Sequence, residues 1–183
     1  MTQSRRAFIA TASAGLVTLA APAIAATGAV QRNVSALQKI DWRDHFDALG
    51  VGVIVADTGA RAVHYWGGDN ETYRLYPSSV PVSPELTKLG YTEVIRKVEG
   101  PTWTPTPSMR ERDPSLPVVV PAGPENPLGT HALYLSWQYY RIHGTHDTRK
   151  IGRPSSDGCI GLYNEHIAKL FALVEVGTQV RLI

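Results

Sequence analysis

Hydrophobic runs and turn-forming tetrapeptides alternate in the first half of the chain, and this pattern predicts a β meander. The runs "VGVIVA" (51–56) and "RAVHYW" (61–66) flank "DTGA", and "ETYRLYP" (71–77) follows "GGDN". Short connectors of this composition join antiparallel strands. We therefore expect three strands, paired in sequence order, over residues 51–77.

Strand character returns later in the chain, so the predicted fold class is mainly β, a sandwich or barrel with one or two helices. The stretch 83–100 predicts a helical turn followed by a strand, and "HALYLSW", "YYRIHGT" and the terminal "TQVRLI" predict further strands. Between them, Asn164 is expected to cap a helix and Gly177 to stop it. Its apolar face would consist of Ile167, Leu170, Phe171 and Val174.

A proline-rich segment, residues 101–127, interrupts this pattern. It holds eight of the 13 prolines, which excludes a long helix or a central strand. Long irregular segments inside compact domains are usually functional or disordered. Trp103, Met109 and "LPVVV" favour an ordered flap packed against the domain. Trp103 either covers a substrate or anchors the segment, and the anchor is favoured.

The N-terminus has the pattern of an export signal. Arg5 and Arg6 precede an apolar, alanine-rich run that ends in small residues at Ala23–Ala25, which is typical of a twin-arginine signal peptide over residues 1–25. The run is too short and too interrupted for a membrane anchor. We expect cleavage near Ala25 and a periplasmic protein, with a tether or short helix at 26–48 and one domain at 49–183.

Charge excludes one class of partner. Removing residues 1–25 takes away Arg5 and Arg6 and no acidic residue, which leaves 16 basic and 16 acidic side chains. A nucleic-acid partner would call for a concentrated basic face, so none is expected. After the predicted signal peptide, the sequence has no further apolar stretch that predicts a membrane span. The charge pattern does not indicate an oligomeric state.

Cys159 is the only cysteine, so it cannot form a disulfide within the chain. It is a buried thiol, the site of an intermolecular bridge, or a nucleophile. His143 ends an apolar strand 16 residues upstream and is the obvious base for a nucleophilic thiol. The Gly144 carbonyl would hold the second imidazole nitrogen, in place of the acid of a triad.

The residues beside the thiol suit acyl transfer. Gly158 leaves room for a substrate carbonyl, and the N–H groups of Gly158 and Cys159 are candidates for an oxyanion hole. Ser156 is expected to bond either within the turn, as is Ser155, or to substrate. Asp157 is better explained as a solvated turn residue.

Zinc is the rival chemistry, because His143, His146, Asp147, His131 and Cys159 are all possible ligands. However, Gly144 breaks any helix that would present His143 and His146 together, and no HExxH or CxxC spacing occurs. We therefore expect no metal and no cofactor. His146 is better placed in a loop near the substrate path.

The long pattern "IHGT…IGRPSSDGCIGL…NEHI" resembles the YkuD-type L,D-transpeptidases, and the resemblance covers residues 51–183. It implies a β-rich sandwich or barrel, with Cys159 as the acylated nucleophile and His143 as general base. It also implies that the substrates are peptidoglycan stem peptides. A donor stem would form a thioester, which an amine of an acceptor stem resolves. Transfer to water, in a carboxypeptidase or hydrolase, and a non-enzymatic wall-binding module are the alternatives.

Gly161 departs from this family, which usually has arginine two residues after the cysteine. Arg141, Arg149 and Arg153 are candidates to supply the missing charge. With the proline-rich segment, Gly161 suggests a variant that forms 1,3 instead of 3,3 cross-links. Asp157, where many members have histidine, is a tolerated change. The candidate substrate contacts are Trp103, Tyr134, Arg141, Thr145, Arg153, Asp157 and Gly161, although core packing is favoured for Tyr134.

Overall fold

The computed structural model describes residues 40–183, and the predicted meander is present in it. Strands β1 (Gly52–Asp57), β2 (Ala62–Gly67) and β3 (Tyr73–Pro77) pair antiparallel in sequence order. The first connector turns tightly because Ala60 N–H donates to the Asp57 carboxylate at 2.7 Å. In the second, the Asp69 carboxylate accepts from Thr72 N–H at 2.8 Å. Both "DTGA" and "GGDN" therefore act as the turns that their composition predicted.

The remaining elements extend this meander into a curled sheet that forms a half-barrel. They are β4 (Val80–Pro81), β5 (Gly90–Glu99), α1 (Pro107–Arg112), β6 (His131–Leu135), β7 (Arg141–His143), β8 (Pro154–Ser156), β9 (Ile160–Gly161), α2 (Asn164–Leu173) and β10 (Gln179–Leu182). Eight strands form one sheet in the order β3-β2-β1-β10-β5-β6-β7-β9, and β4 pairs with β8 separately. The mainly β fold with two helices is confirmed.

The C-terminal strand lies at the centre of the sheet. β10 pairs parallel with β1 and antiparallel with β5, so it joins the first meander to the strands that carry the thiol and the imidazole. Val180 and Leu182 of β10 are almost fully buried. The last residues of the chain therefore stabilise the sheet that carries the site.

Two apolar clusters hold the sheet. The larger lies between the concave face and α2, and its fully buried members include Ile54, Leu133, Ile142, Ile160, Leu162, Ile167, Leu170 and Leu182. The smaller covers the opposite face of β1, where Phe46 and Leu49 pack on Val53 and Val55. Within the 26–48 segment, predicted as a tether or short helix, the described residues 40–48 thus pack on the sheet and form a 3₁₀ turn at Trp42–Asp44. Residues 1–39, with the signal peptide, lie outside the described residues.

The prediction that Asn164 caps α2 is wrong. The cap residue is Tyr163, without a side-chain hydrogen bond, and Asn164 is the first helical residue. Its side-chain oxygen accepts from Thr130 N–H at 3.1 Å instead. Asn164 therefore ties the helix to the start of β6. The apolar face is as expected, since Ile167 and Leu170 are fully buried, and α2 ends at Leu173.

The proline-rich segment is ordered by its own contacts. Thr106 caps α1, with Pro107 at the first helical position. Trp103 and Val120 exchange two backbone hydrogen bonds of 2.9 and 2.8 Å, which closes the segment into a loop. The side chain of Asn126 is buried and donates to three carbonyl oxygens, those of Pro101, Val120 and Pro121. None of the helices within residues 40–183 is long and apolar enough to cross a membrane.

Candidate active site

The parallel pairing of β7 with β9 brings the thiol and the imidazole to one face of the sheet. Ile142 lies opposite Ile160, and His143 lies opposite Gly161. Both isoleucines point into the core, so their neighbours along each strand point to the other face. His143 and Cys159, which directly precedes β9, are therefore diagonal neighbours across two hydrogen-bonded strands.

Both side chains line a cavity of about 380 Å³. One wall comes from the proline-rich segment, and its lining residues are Trp103, Thr104, Thr106, Met109, Arg112, Asp113, Leu116 and Pro127. The other comes from the strand ends and connecting loops, with Ser79, Leu128, Tyr139, Arg141, His143, Thr145, His146, Lys150, Ser155, Ser156, Asp157 and Cys159. The cavity thus combines apolar surface with a cluster of ionisable groups, as ligand sites commonly do.

The thiol is held by the turn that precedes it, which we call the thiol turn (residues 156–159). Ser156 Oγ donates to the Cys159 carbonyl at 2.5 Å and accepts from Gly158 N–H at 3.4 Å. The Ser156 hydroxyl thus bonds within the turn while also lining the cavity. Gly158 has φ +125°, where a side chain is strained, and a Cβ there would lie 3.3 Å from the Tyr140 ring. Only glycine fits both requirements.

The imidazole of His143 is fixed in one tautomer. Its Nδ1 bonds to the Gly144 carbonyl oxygen. Because a carbonyl only accepts, Nδ1 carries the proton and Nε2 has its lone pair available. Burial lowers the pKa of His143 from 6.5 to about 4, against the raising effect of this hydrogen bond, and the charges of Arg141 and Lys150 lower it further. His143 is therefore neutral at pH 7 and can accept a proton.

Cys159 is half-buried, and it is a thiol at rest. Its Sγ donates to the Tyr139 carbonyl at 3.3 Å. Burial raises the pKa of the thiol, while the charge and hydrogen bonds of Arg141 lower it. Asp157 also raises this pKa. The resting pair is thus a thiol and a neutral imidazole, which requires proton transfer when the sulfur attacks.

Two further glycines leave no room for side chains. A Cβ on Gly144 would overlap Asn164 Oδ1 and would lie 3.1 Å from Ile167 Cγ2. A Cβ on Gly161 would overlap Ser79 Oγ, and Ser79 also exchanges two backbone hydrogen bonds with Gly161. In its present rotamer, Ser79 Oγ therefore lies in the space that a Cβ at position 161 would enter.

The structure places the predicted substrate contacts in two groups. Trp103, Arg141, Thr145 and Asp157 line the cavity, as does His146. Tyr134, Arg153 and Gly161 do not contribute to its lining. Two guanidinium groups lie over the Tyr134 ring, those of Arg96 at 3.9 Å and Arg141 at 5.0 Å from its centroid. Arg149 forms a double hydrogen bond with the Asp147 carboxylate, at 2.8 and 3.0 Å.

Sequence reasoning missed several groups that the fold brings to the site. Arg112, from α1, pairs with Asp157 across the cavity. Tyr139 has φ +67°, an uncommon conformation for a side-chain-bearing residue. The "TPSMRER" pattern, with Thr before Pro, signals a helix start that would have revealed α1. No local signal in the sequence marks Ser79 or Tyr139.

The chain is similar to known proteins over nearly all of this domain. Residues 52–182 match the family model described as YkuD, L,D-transpeptidase catalytic domain. A Fuscovulum blasticum protein, named for an L,D-transpeptidase in the ATP synthase subunits region, is 59% identical over 100% of this chain and 98% of its own length. The Escherichia coli relatives named as L,D-transpeptidases ErfK/SrfK and YbiS are 42% and 41% identical over 75% of the chain. The chain spans 45% and 46% of their lengths.

Solved structures show the same fold. L,D-transpeptidase 3 from Mycobacterium tuberculosis superposes with a TM-score of 0.57 at 16% identity, covering 73% of this chain and 61% of the other. An L,D-transpeptidase from Mycobacterium smegmatis gives 0.54 at 21% identity, covering 73% and 58%. At these identities the likeness concerns the architecture of the domain.

Proposed function

Because the chain belongs to the YkuD family of L,D-transpeptidase catalytic domains, we propose that it is a peptidoglycan transpeptidase that works through a Cys159 acyl-enzyme. One observation carries the chemistry. A thiol and a neutral imidazole share one face of adjacent strands and line one cavity, and the imidazole is oriented by the Gly144 carbonyl. Among the described residues that line the cavity, no other pair combines a nucleophile with an oriented base.

In the first half-reaction, Cys159 Sγ attacks a carbonyl carbon of the donor stem peptide. The S–H proton passes to Nε2 of His143, and a C–S bond forms in a tetrahedral intermediate. The peptide C–N bond then breaks, and His143 returns the proton to the leaving amine. We propose that the Cys159 N–H stabilises the oxyanion, because the Gly158 N–H is already engaged by Ser156.

In the second half-reaction, an amine of the acceptor stem attacks the thioester. His143 accepts the amine proton and delivers it to the departing sulfur, which restores thiol and neutral imidazole. If water attacks the thioester in place of the amine, with His143 passing the water proton to the departing sulfur, the donor is released as a carboxylic acid, which is hydrolysis. The proline-rich segment contributes eight lining residues, and we propose that it limits water access to the thioester.

Incubating the purified protein with disaccharide–tetrapeptides or sacculi, followed by mass spectrometry of the products, tests this proposal. We expect stem dimers with wild type and none with Cys159→Ala. Shortened monomers alone would identify a hydrolase. Undiminished sacculus binding without any product, in wild type and Cys159→Ala alike, would identify a binding module and refute the proposal.

The same products decide the linkage. We propose that Gly161 and the proline-rich segment mark a 1,3-linking variant, since Ser79 Oγ occupies the space beside Gly161 where an arginine side chain would begin. A product set of 3,3 dimers alone would remove this idea.

We also propose that residues 1–25 direct export to the periplasm and are removed. N-terminal sequencing of protein recovered from the cell envelope should begin near Ala26. Recovery of the unprocessed chain from the cytoplasm only would contradict export.

A further inference from the structure

Arg141 and Cys159 bond to the same backbone oxygen. The Tyr139 carbonyl accepts from Cys159 Sγ at 3.3 Å and from Arg141 Nη1 at 3.2 Å. Arg141 also lies opposite Cys159 when the parallel register of β7 and β9 is continued by one residue. The guanidinium and the sulfur are therefore neighbours that converge on one atom.

The guanidinium has donor capacity beyond this bond. Arg141 Nε is buried and makes no hydrogen bond, although a guanidinium offers five N–H donors. The Tyr134 ring lies 5.0 Å from it, and Arg141 lines the cavity. A cation with a buried, unmatched donor beside a group that becomes negative during the reaction is suited to stabilise that charge.

The backbone at Tyr139 is what brings the two groups together. Its φ of +67° lies in the left-handed region, which carries a cost for a tyrosine. This conformation occurs in the turn between β6 and β7, two residues before Arg141, where the Tyr139 carbonyl meets the sulfur of Cys159, the residue that precedes β9. Strain that orients a shared acceptor in this way is typical of functional sites.

We propose that Arg141 is a catalytic residue of acylation, whose guanidinium stabilises the Cys159 thiolate, with the Tyr139 carbonyl setting their relative position. This inference rests on the proposed function for its biological meaning. When the S–H bond breaks, the proton goes to His143 Nε2 and the electron pair stays on sulfur, while Arg141 remains protonated throughout. The guanidinium thus acts at the step at which charge develops on sulfur.

The other charged groups around the sulfur do not duplicate this role. Asp157, in the thiol turn, opposes thiolate formation, and it is paired with Arg112 of α1. His143 on β7 is the proton acceptor. The remaining ionisable groups of the cavity lining are Tyr139 before β7, His146 and Lys150 after β7, and Asp113 after α1, and the Tyr140 phenol also interacts with the sulfur. Among the arginine candidates from the sequence, Arg149 is engaged by Asp147, and neither it nor Arg153 lines the cavity.

The test measures the thiolate directly, as the pH dependence of Cys159 alkylation by iodoacetamide in the absence of peptidoglycan. With Arg141→Gln, we expect the midpoint of the rate profile to rise by about one pH unit, and alkylation at neutral pH to slow roughly tenfold. Arg141→Lys keeps the charge, so its midpoint should lie much closer to that of wild type than the midpoint of Arg141→Gln does. Arg96→Gln is the matched control, because Arg96 packs on the same Tyr134 ring without lining the cavity, and its midpoint should equal that of wild type.

Thermal melts establish that each variant is folded. An unchanged midpoint in folded Arg141→Gln would overturn the proposal, and so would equal shifts in the Gln and Lys variants, since charge would then be irrelevant. If wild type forms no stem dimers but its alkylation midpoint still depends on Arg141, the proposed function is contradicted and the role of Arg141 stands.

Discussion

Replacing His143 with glutamine removes a proton-binding group that the folded protein keeps neutral. Its pKa is about 4 when folded, chiefly because of burial, and 6.5 when exposed. Between these values the unfolded chain binds more protons than the folded one, so stability falls as the pH is lowered through this window. The difference between the two pKa values corresponds to about 3 kcal/mol, of which about 2 kcal/mol is lost between pH 7 and pH 4.5.

Equilibrium urea unfolding of wild type and His143→Gln at these two pH values measures the effect. We expect the free energy of unfolding of wild type to fall by about 2 kcal/mol more than that of the variant. Burial also lowers the pKa of His64, but His64 is present in both proteins and cancels in the comparison. Equal losses in the two proteins would refute the assignment of a neutral, desolvated His143, and with it the proposed general base.

Two contacts beside the site give further predictions, each measured by denaturant unfolding. Gly161→Ala should cost no more than about 1 kcal/mol, because its Cβ would overlap only Ser79 Oγ, which can rotate away. Adding Ser79→Ala should recover most of this cost, because the Ser79 Cβ would lie 3.7 Å away. Simple additivity of the two changes would exclude the overlap. A double-mutant cycle of Arg112→Gln and Asp157→Asn should give a coupling of at most about 1 kcal/mol that weakens with salt, because both side chains are substantially exposed. A larger, salt-independent coupling would contradict this estimate.

Local patterns in the sequence predicted much of the fold. The alternation in 51–77 and the turn residues Asp57 and Asp69 predicted the meander, and the spacing of Ile167 and Leu170 predicted the face of α2. The order of the strands was not predictable in this way. The central position of β10 depends on pairing between residues more than 100 positions apart, for which no local pattern exists.

The residues of the site also fall into those that the sequence could predict and those that only the tertiary structure brings together. Cys159, His143, Gly144 and Gly158 could be proposed because their residue types and spacing carry chemical meaning. The neighbours of the thiol are set by tertiary structure: Tyr139 is brought in by a strained turn, and Arg112 by a short helix in a segment whose prolines indicated only irregular structure. The Asn164 prediction was wrong because a tertiary hydrogen bond to Thr130 took the side chain that would have capped the helix.

Intact-protein mass spectrometry after incubation with a donor stem peptide or a carbapenem tests the central claim most directly. The account predicts one covalent adduct, mapped to Cys159 by peptide analysis, absent from Cys159→Ala and formed much more slowly by His143→Gln. Stem-dimer formation by a folded Cys159→Ala variant, or turnover by wild type with the acyl group on another residue, would contradict it.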